Sequence, residues 1–109
     1  MKKKICYIAH PIGGDVHNNL ADLRRIIRLI NSTEPNVVPF CPYYSDVVSL
    51  DDNIPEERQR GIENDHAILC SGIVDELWLT GVKFSAGMQV EAELAKEMGI
   101  PIINLIGML

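Results

Sequence analysis

The segment Ser85-Ala86-Gly87-Met88-Gln89-Val90-Glu91 places a carboxylate about a turn and a half into a helix predicted from about Ser85 to Gly99, where glycine and then Pro101 end it. At a period of 3.6 the apolar stripe of this helix reads Gly87, Leu94, Ala95 and Met98, and Glu91 falls on it, while Glu93, Lys96 and Glu97 fall off. A carboxylate on an inward face loses hydration, so it is paired, protonated or used in chemistry. The structural alternative is a boundary glutamate that reaches solvent. Asp65 has the same peculiarity, lying on the stripe Ile62, Asp65, Leu69 of a helix predicted over Glu57 to Cys70, with Glu56, Glu57, Arg58 and Arg60 on its other sides. Expelling a poor leaving group from a sugar carbon needs an anion against an oxocarbenium-like centre and a proton for the departing atom. Two carboxylates with separated pKa values supply both.

The 109 residues, 47% of them hydrophobic, suit one domain over residues 1–109 with a core of its own. Ten Lys and Arg stand against fifteen Asp and Glu, a net charge of −5 that argues against a broad nucleic-acid surface, with Lys2, Lys3 and Lys4 as the one basic run. Small anions remain compatible, because backbone N–H groups can hold a phosphate on an acidic protein. Cys6, Cys41 and Cys70 are odd in number and lie in apolar context, which predicts reduced, packed thiols in a cytoplasmic protein rather than disulfides or a zinc site. The run Ile5 to Ala9 is too short for a signal sequence, and nothing approaches the ~20 apolar residues of a membrane span.

Positioning those acids falls to alternating strands and helices. Lys4 to Ala9 reads as a strand ending in the loop His10-Pro11-Ile12-Gly13-Gly14. A helix follows, capped by Asp15 or Asn18, with Leu20, Leu23, Ile26, Ile27 and Ile30 inward through about Asn31. Val37 to Phe40 is a second strand, Cys41 to Pro55 a long polar loop, Val74 to Thr80 a third strand and Ile100 to Leu105 a fourth. This pattern predicts an α/β, Rossmann- or flavodoxin-like three-layer fold, about four parallel strands with helices on both faces. Ligands then bind beyond the carboxyl ends of the strands, at His10 to Gly14 and Gly81 to Gly87, where glycines admit close backbone approach. Neither loop is a dinucleotide or NTPase motif.

Three segments together resemble the nucleoside 2-deoxyribosyltransferase-like family, which includes 2'-deoxynucleoside 5'-monophosphate N-glycosidases, over most of the chain. Tyr7 to Gly14 looks like its first strand and glycine loop. Asp65 matches its helical aspartate by its spacing of 20 residues to Ser85, and Ser85-x-Gly87-x-x-x-Glu91 followed by Gly99-Ile100-Pro101 matches its signature. The resemblance implies that Glu91 attacks the anomeric carbon to form a glycosyl-enzyme, that Asp65 holds the ribose or protonates the base, and that Tyr7 orients Glu91. It further implies a substrate pocket formed by Ser85, Gly87, His10, Pro11, Ile12 and Gly13, no cofactor or metal, and a homodimer or higher oligomer. Serine at position 85 resembles the nucleotide-hydrolysing branch. The chain departs from that branch at Gly13 and Gly14, where the monophosphate-specific relatives carry an arginine; His10 and Lys83 are the candidate substitutes.

Other residues read more plainly. His10 suits a turn but sits where a ligand would touch it, while His17 and His66 read as surface residues without metal-ligand spacing. Asp75 and Glu76 point in opposite directions on a strand rather than forming a pair. Tyr43 and Tyr44 suit a stacked base or a subunit contact, and Trp78 suits core or interface. Three functions follow: an N-glycoside hydrolase or transferase of nucleotide metabolism; a non-catalytic nucleotide or nucleotide-sugar sensor; and an interaction protein with a structural glutamate.

Overall fold

The chain's structure, a computed structural model, describes residues 2–109, with Met1 outside the described residues. β1 (Lys4–Ala9) is apolar on both faces, and Cys6, Tyr7, Ile8 and Ala9 are all fully buried, as a central strand requires. α1 (Val16–Thr33) starts at Asp15, whose carboxylate accepts from the Asn18 backbone at 3.4 Å, and buries Leu20, Leu23, Ile26 and Ile30. β2 (Val37–Phe40), β3 (Glu76–Leu79) and β4 (Ile102–Asn104) complete an all-parallel sheet of order β2-β1-β3-β4. The register runs from Lys4 opposite Val37, Cys6 opposite Glu76 and Leu77 opposite Ile102. β3 and β4 are shorter than the apolar runs that announced them; Val74 and Thr80 lie buried on either side of β3.

The segment expected to be a loop over Cys41 to Pro55 contains a helix, α2 (Tyr43–Ser49). Its composition is polar, but Tyr43 and Val47, four apart, both pack on the core, and that tertiary contact outweighs weak local propensity. Then follow α3 (Pro55–Leu69), with proline at its first position, and α4 (Ala86–Glu97), between β3 and β4. Right-handed crossovers put α1 on one face and α2, α3 and α4 on the other, with α3 packed against both α2 and α4. The chain leaves β1 towards β2 and leaves β3 towards β4, so the connections diverge between the two central strands. A crevice opens there.

Cys6 is buried and Cys41 half-buried, but Cys70 is exposed, because it follows the last turn of α3 at a bend rather than packing beneath it. Asp75 accepts from the Ile5 backbone at 2.8 Å, whereas Glu76 takes Lys4 at 3.0 Å and the Trp78 indole at 2.9 Å, so both acids are structural. No helix among the described residues is long and apolar enough to cross a membrane.

Candidate active site

The floor of the crevice is made by two loops that lock together. Asn19 on α1 donates to the carbonyls of Ile12 at 2.9 Å and Gly13 at 3.1 Å, holding the first loop. His10 is almost completely buried. Its Nδ1 lies 3.0 Å from the Thr80 hydroxyl and its Nε2 3.4 Å from Asp22, which also accepts from Arg25. Burial lowers its pKa, against the pull of Asp22, and both ring nitrogens are engaged by the protein. Gly81 begins the second loop with φ +88°, and a Cβ there would stand 2.6 Å from Pro11 Cδ and 3.1 Å from His10 Cε1. Only glycine fits.

α4 rises from this floor. Ser85 is its N-cap, accepting from the Met88 backbone at 3.3 Å, and Gly87 lies in its first turn with nothing within 4 Å of where a Cβ would be. The buried stripe is Met88, Ala92 and Ala95, whereas Gly87 and Met98 are exposed, so the helix is turned by about one residue from the stripe expected. Glu91 therefore sits on the edge of the buried face, half-buried. Its carboxylate accepts a short hydrogen bond from the hydroxyl of Tyr7, a residue on β1.

The opposite wall is α3, whose crevice face is Arg58, Gly61, Ile62, Asp65 and His66, at helical spacing. Asp65 is half-buried, and its Oδ1 is shut off from solvent without a hydrogen-bond partner. Asp46 of α2 stands nearby, accepting from Asn64 at 3.1 Å. His66 was expected at the surface, but it is a half-buried lining residue of the crevice, and its Nε2 is buried without a partner. Ile62 lines the crevice instead of the core.

Together these walls enclose a cleft of about 530 Å³, the size of a small-molecule site. Glu91, Asp65, Ser85, Gly87, His10, Pro11, Ile12 and Gly13 all line it. Tyr7 lies beneath them, completely buried, and enters only through its bond to Glu91. Sequence reasoning missed Asp46, Arg58 and His66 as lining residues and left Tyr43 undecided. Tyr43 is a core residue whose hydroxyl donates to the Ile8 carbonyl and whose ring meets that of Tyr7 at 5.8 Å and 46°, bracing the phenol under Glu91. Tyr44 instead accepts from Arg24 at 3.2 Å. The i, i+3, i+7 spacing of Arg58, Gly61 and Asp65 was the available signal for Arg58.

A family model, Domain of unknown function (DUF7768), matches residues 4–105. The chain belongs to that family. No curated protein matches it. The DUF7768 match spans both loops, Tyr7, Asp65 and Glu91, so the whole cleft lies within the family's boundaries.

Electrostatics raise both acids of this DUF7768 cleft. Burial pushes the Glu91 carboxyl up to about 7, the Tyr7 hydroxyl pulls it back, and the charge of Asp65 adds to the rise. Burial, with the nearby Asp46 charge, pushes Asp65 up to about 7 as well, and no donor opposes it. Tyr7 itself is held far above its ordinary value by burial and by the Glu91 and Asp65 charges, so its proton stays on the phenol and is donated. Both carboxyls therefore titrate near neutrality, and of the two it is Glu91 that has a donor, the Tyr7 hydroxyl, to hold its anion. Among the described residues, no cluster of three or more His, Cys, Asp or Glu side chains could hold a metal ion.

Proposed function

We propose that this DUF7768 protein is an N-glycoside hydrolase or (deoxy)ribosyltransferase acting on a nucleoside or nucleoside 5'-monophosphate. The observation that carries the reading is the Tyr7 hydroxyl bonded to the Glu91 carboxylate in a cleft that also holds Asp65. A phenol that cannot ionise fixes one carboxylate oxygen and leaves the other for attack.

In the first step a Glu91 oxygen bonds to C1' of the sugar while the C1'–N bond breaks. Its electron pair goes to the base nitrogen, which takes the Asp65 proton. In the second step water or an acceptor base attacks C1', Asp65 takes back a proton, and the C1'–O bond to Glu91 breaks. The N-cap Ser85 and the open space over Gly87 suit the 5' end of the substrate at the start of α4. The reading carries with it a cytoplasmic homodimer, in keeping with the resemblance drawn from Tyr7, Asp65 and the Ser85 to Glu91 motif.

A panel of nucleosides and their 5'-monophosphates, assayed for free base by chromatography beside a Glu91→Ala control, tests this directly. Base release by the native protein and none by the variant is the expected result; equal release by both removes the assignment. The second reading is a nucleotide or nucleotide-sugar sensor. It is favoured by a first loop whose one titratable cation, His10, has both nitrogens engaged, and binding without release would support it.

A further inference from the structure

The crevice face of α3 joins two chemically different groups on one helix. Asp65 belongs to the reacting centre, and Arg58 lies seven residues earlier, about 10 Å along the axis at roughly 1.5 Å per residue. Arg58 forms no ion pair among the described residues, although Asp52 and Glu57, close to it in the chain, line the same cleft. Glu57 is tied back by the Asp51 backbone at 3.2 Å, which holds its carboxylate on that wall. Ile62, between Arg58 and Asp65 on α3, and Val47 and Leu50 from the α2 side add apolar surface to the same cleft.

This sequence of surfaces matches a flat heterocycle joined to a sugar. One end sits at the acids, the faces lie between aliphatic side chains, and the far edge meets donors and acceptors together. We infer that Arg58 reads the leaving base and that the base it selects is a 6-oxopurine. The inference rests on the N-glycoside reading of the same cleft.

The choice follows from hydrogen-bonding chemistry. A guanidinium offers parallel N–H donors in a rigid fork, which match the adjacent O6 and N7 acceptors of a 6-oxopurine. A 6-aminopurine sets a donor beside N7 and opposes one arm of the fork. Asp52 and Glu57 supply acceptors for the ring N–H that a 6-oxopurine carries and for the exocyclic amino group that guanine adds to it.

Base release from guanosine, inosine, adenosine and cytidine, in ribo and deoxy forms and with or without a 5'-phosphate, is to be measured for the native protein, Arg58→Ala and Arg58→Lys. The expected result is that the native protein favours 6-oxopurines by about tenfold or more in kcat/KM, a ratio that falls towards one in Arg58→Ala. Lysine restores little of it, because a point charge lacks the fork. A preference that survives in Arg58→Ala, or a loss that follows the 5'-phosphate instead of the base, overturns the assignment. If the native protein releases no base at all, the catalytic reading fails separately, and calorimetric binding of guanosine against adenosine then decides. An Arg58-dependent preference for guanosine keeps the base assignment, and equal binding removes it.

Discussion

Replacing Asp65 with asparagine should stabilise the protein at pH 8 and leave it nearly unchanged at pH 4. An aspartate carboxyl ordinarily titrates near 3.8, and in the fold burial and the Asp46 charge hold this one at about 7. Between those values the folded chain keeps a proton that the unfolded chain has released. Stability therefore falls as pH rises from 4 to 7 and stays low above 7. At about 1.36 kcal/mol per pH unit, the difference between 3.8 and about 7 corresponds to roughly 4 kcal/mol. Hydration through the cleft mouth reduces this to about 2 kcal/mol. Asparagine keeps the shape and has no charge to desolvate. Urea unfolding of both proteins at half-unit steps from pH 4 to 8.5 should show the variant's midpoint moving ahead by roughly 0.7–2 M at the alkaline end, given about 1–3 kcal/mol per molar urea. A difference that is flat with pH, or that favours the native protein more strongly as pH rises, would refute the claim that this acid is held against its preference for ionisation.

Tyr7→Phe removes the donor that keeps Glu91 anionic, a hydrogen bond to a charged group worth about 1.5–3 kcal/mol. The rising limb of the pH–rate profile should move up by about 1–2 pH units, and an unmoved limb argues that the phenol does not set the ionisation of Glu91. Gly81→Ala forces a side chain into the left-handed region and against Pro11, so a loss of about 2–4 kcal/mol is expected in chemical denaturation; a loss under 1 kcal/mol would mean that the two loops are not locked. Gly87→Ala meets no protein atom and should raise stability by about 0.5–1 kcal/mol, while the added methyl weakens nucleotide binding measured by calorimetry. Unchanged affinity would place the ligand elsewhere.

The sheet, the two glycine loops and the helices bearing Asp65 and Glu91 were legible because each is announced by a period or a punctuating residue. β1 is continuously apolar from Ile5 to Ala9, and Gly99-Ile100-Pro101 closes α4 where it should. α2 was not legible, since a seven-residue polar helix shows no periodicity of its own and exists through the packing of Tyr43 and Val47. Glu91 was placed near the inner face, but the stripe was off by one residue because Met88 and Ala92, not Gly87 and Met98, are buried. The Tyr7 to Glu91 bond joins residues 84 apart, and no local pattern encodes it; only the resemblance pointed to that pairing. Arg58 and Glu57 were assigned to the outer sides of α3 with Glu56 and Arg60, because a helix facing a cleft reads in sequence like one facing solvent.

The lock between Gly81 and the His10-Pro11 turn divides the cleft into parts with unequal freedom to change. A base plate with no room for an extra carbon tolerates few replacements, so the two loops it joins are confined to one geometry. α3 is looser, burying only Leu69 among its fifteen residues, and its exposed crevice-facing positions such as Arg58 and Ile62 can be exchanged at little expense to folding. Divergence in what such domains accept should therefore accumulate on that helix around Asp65, while the floor beneath it stays the same.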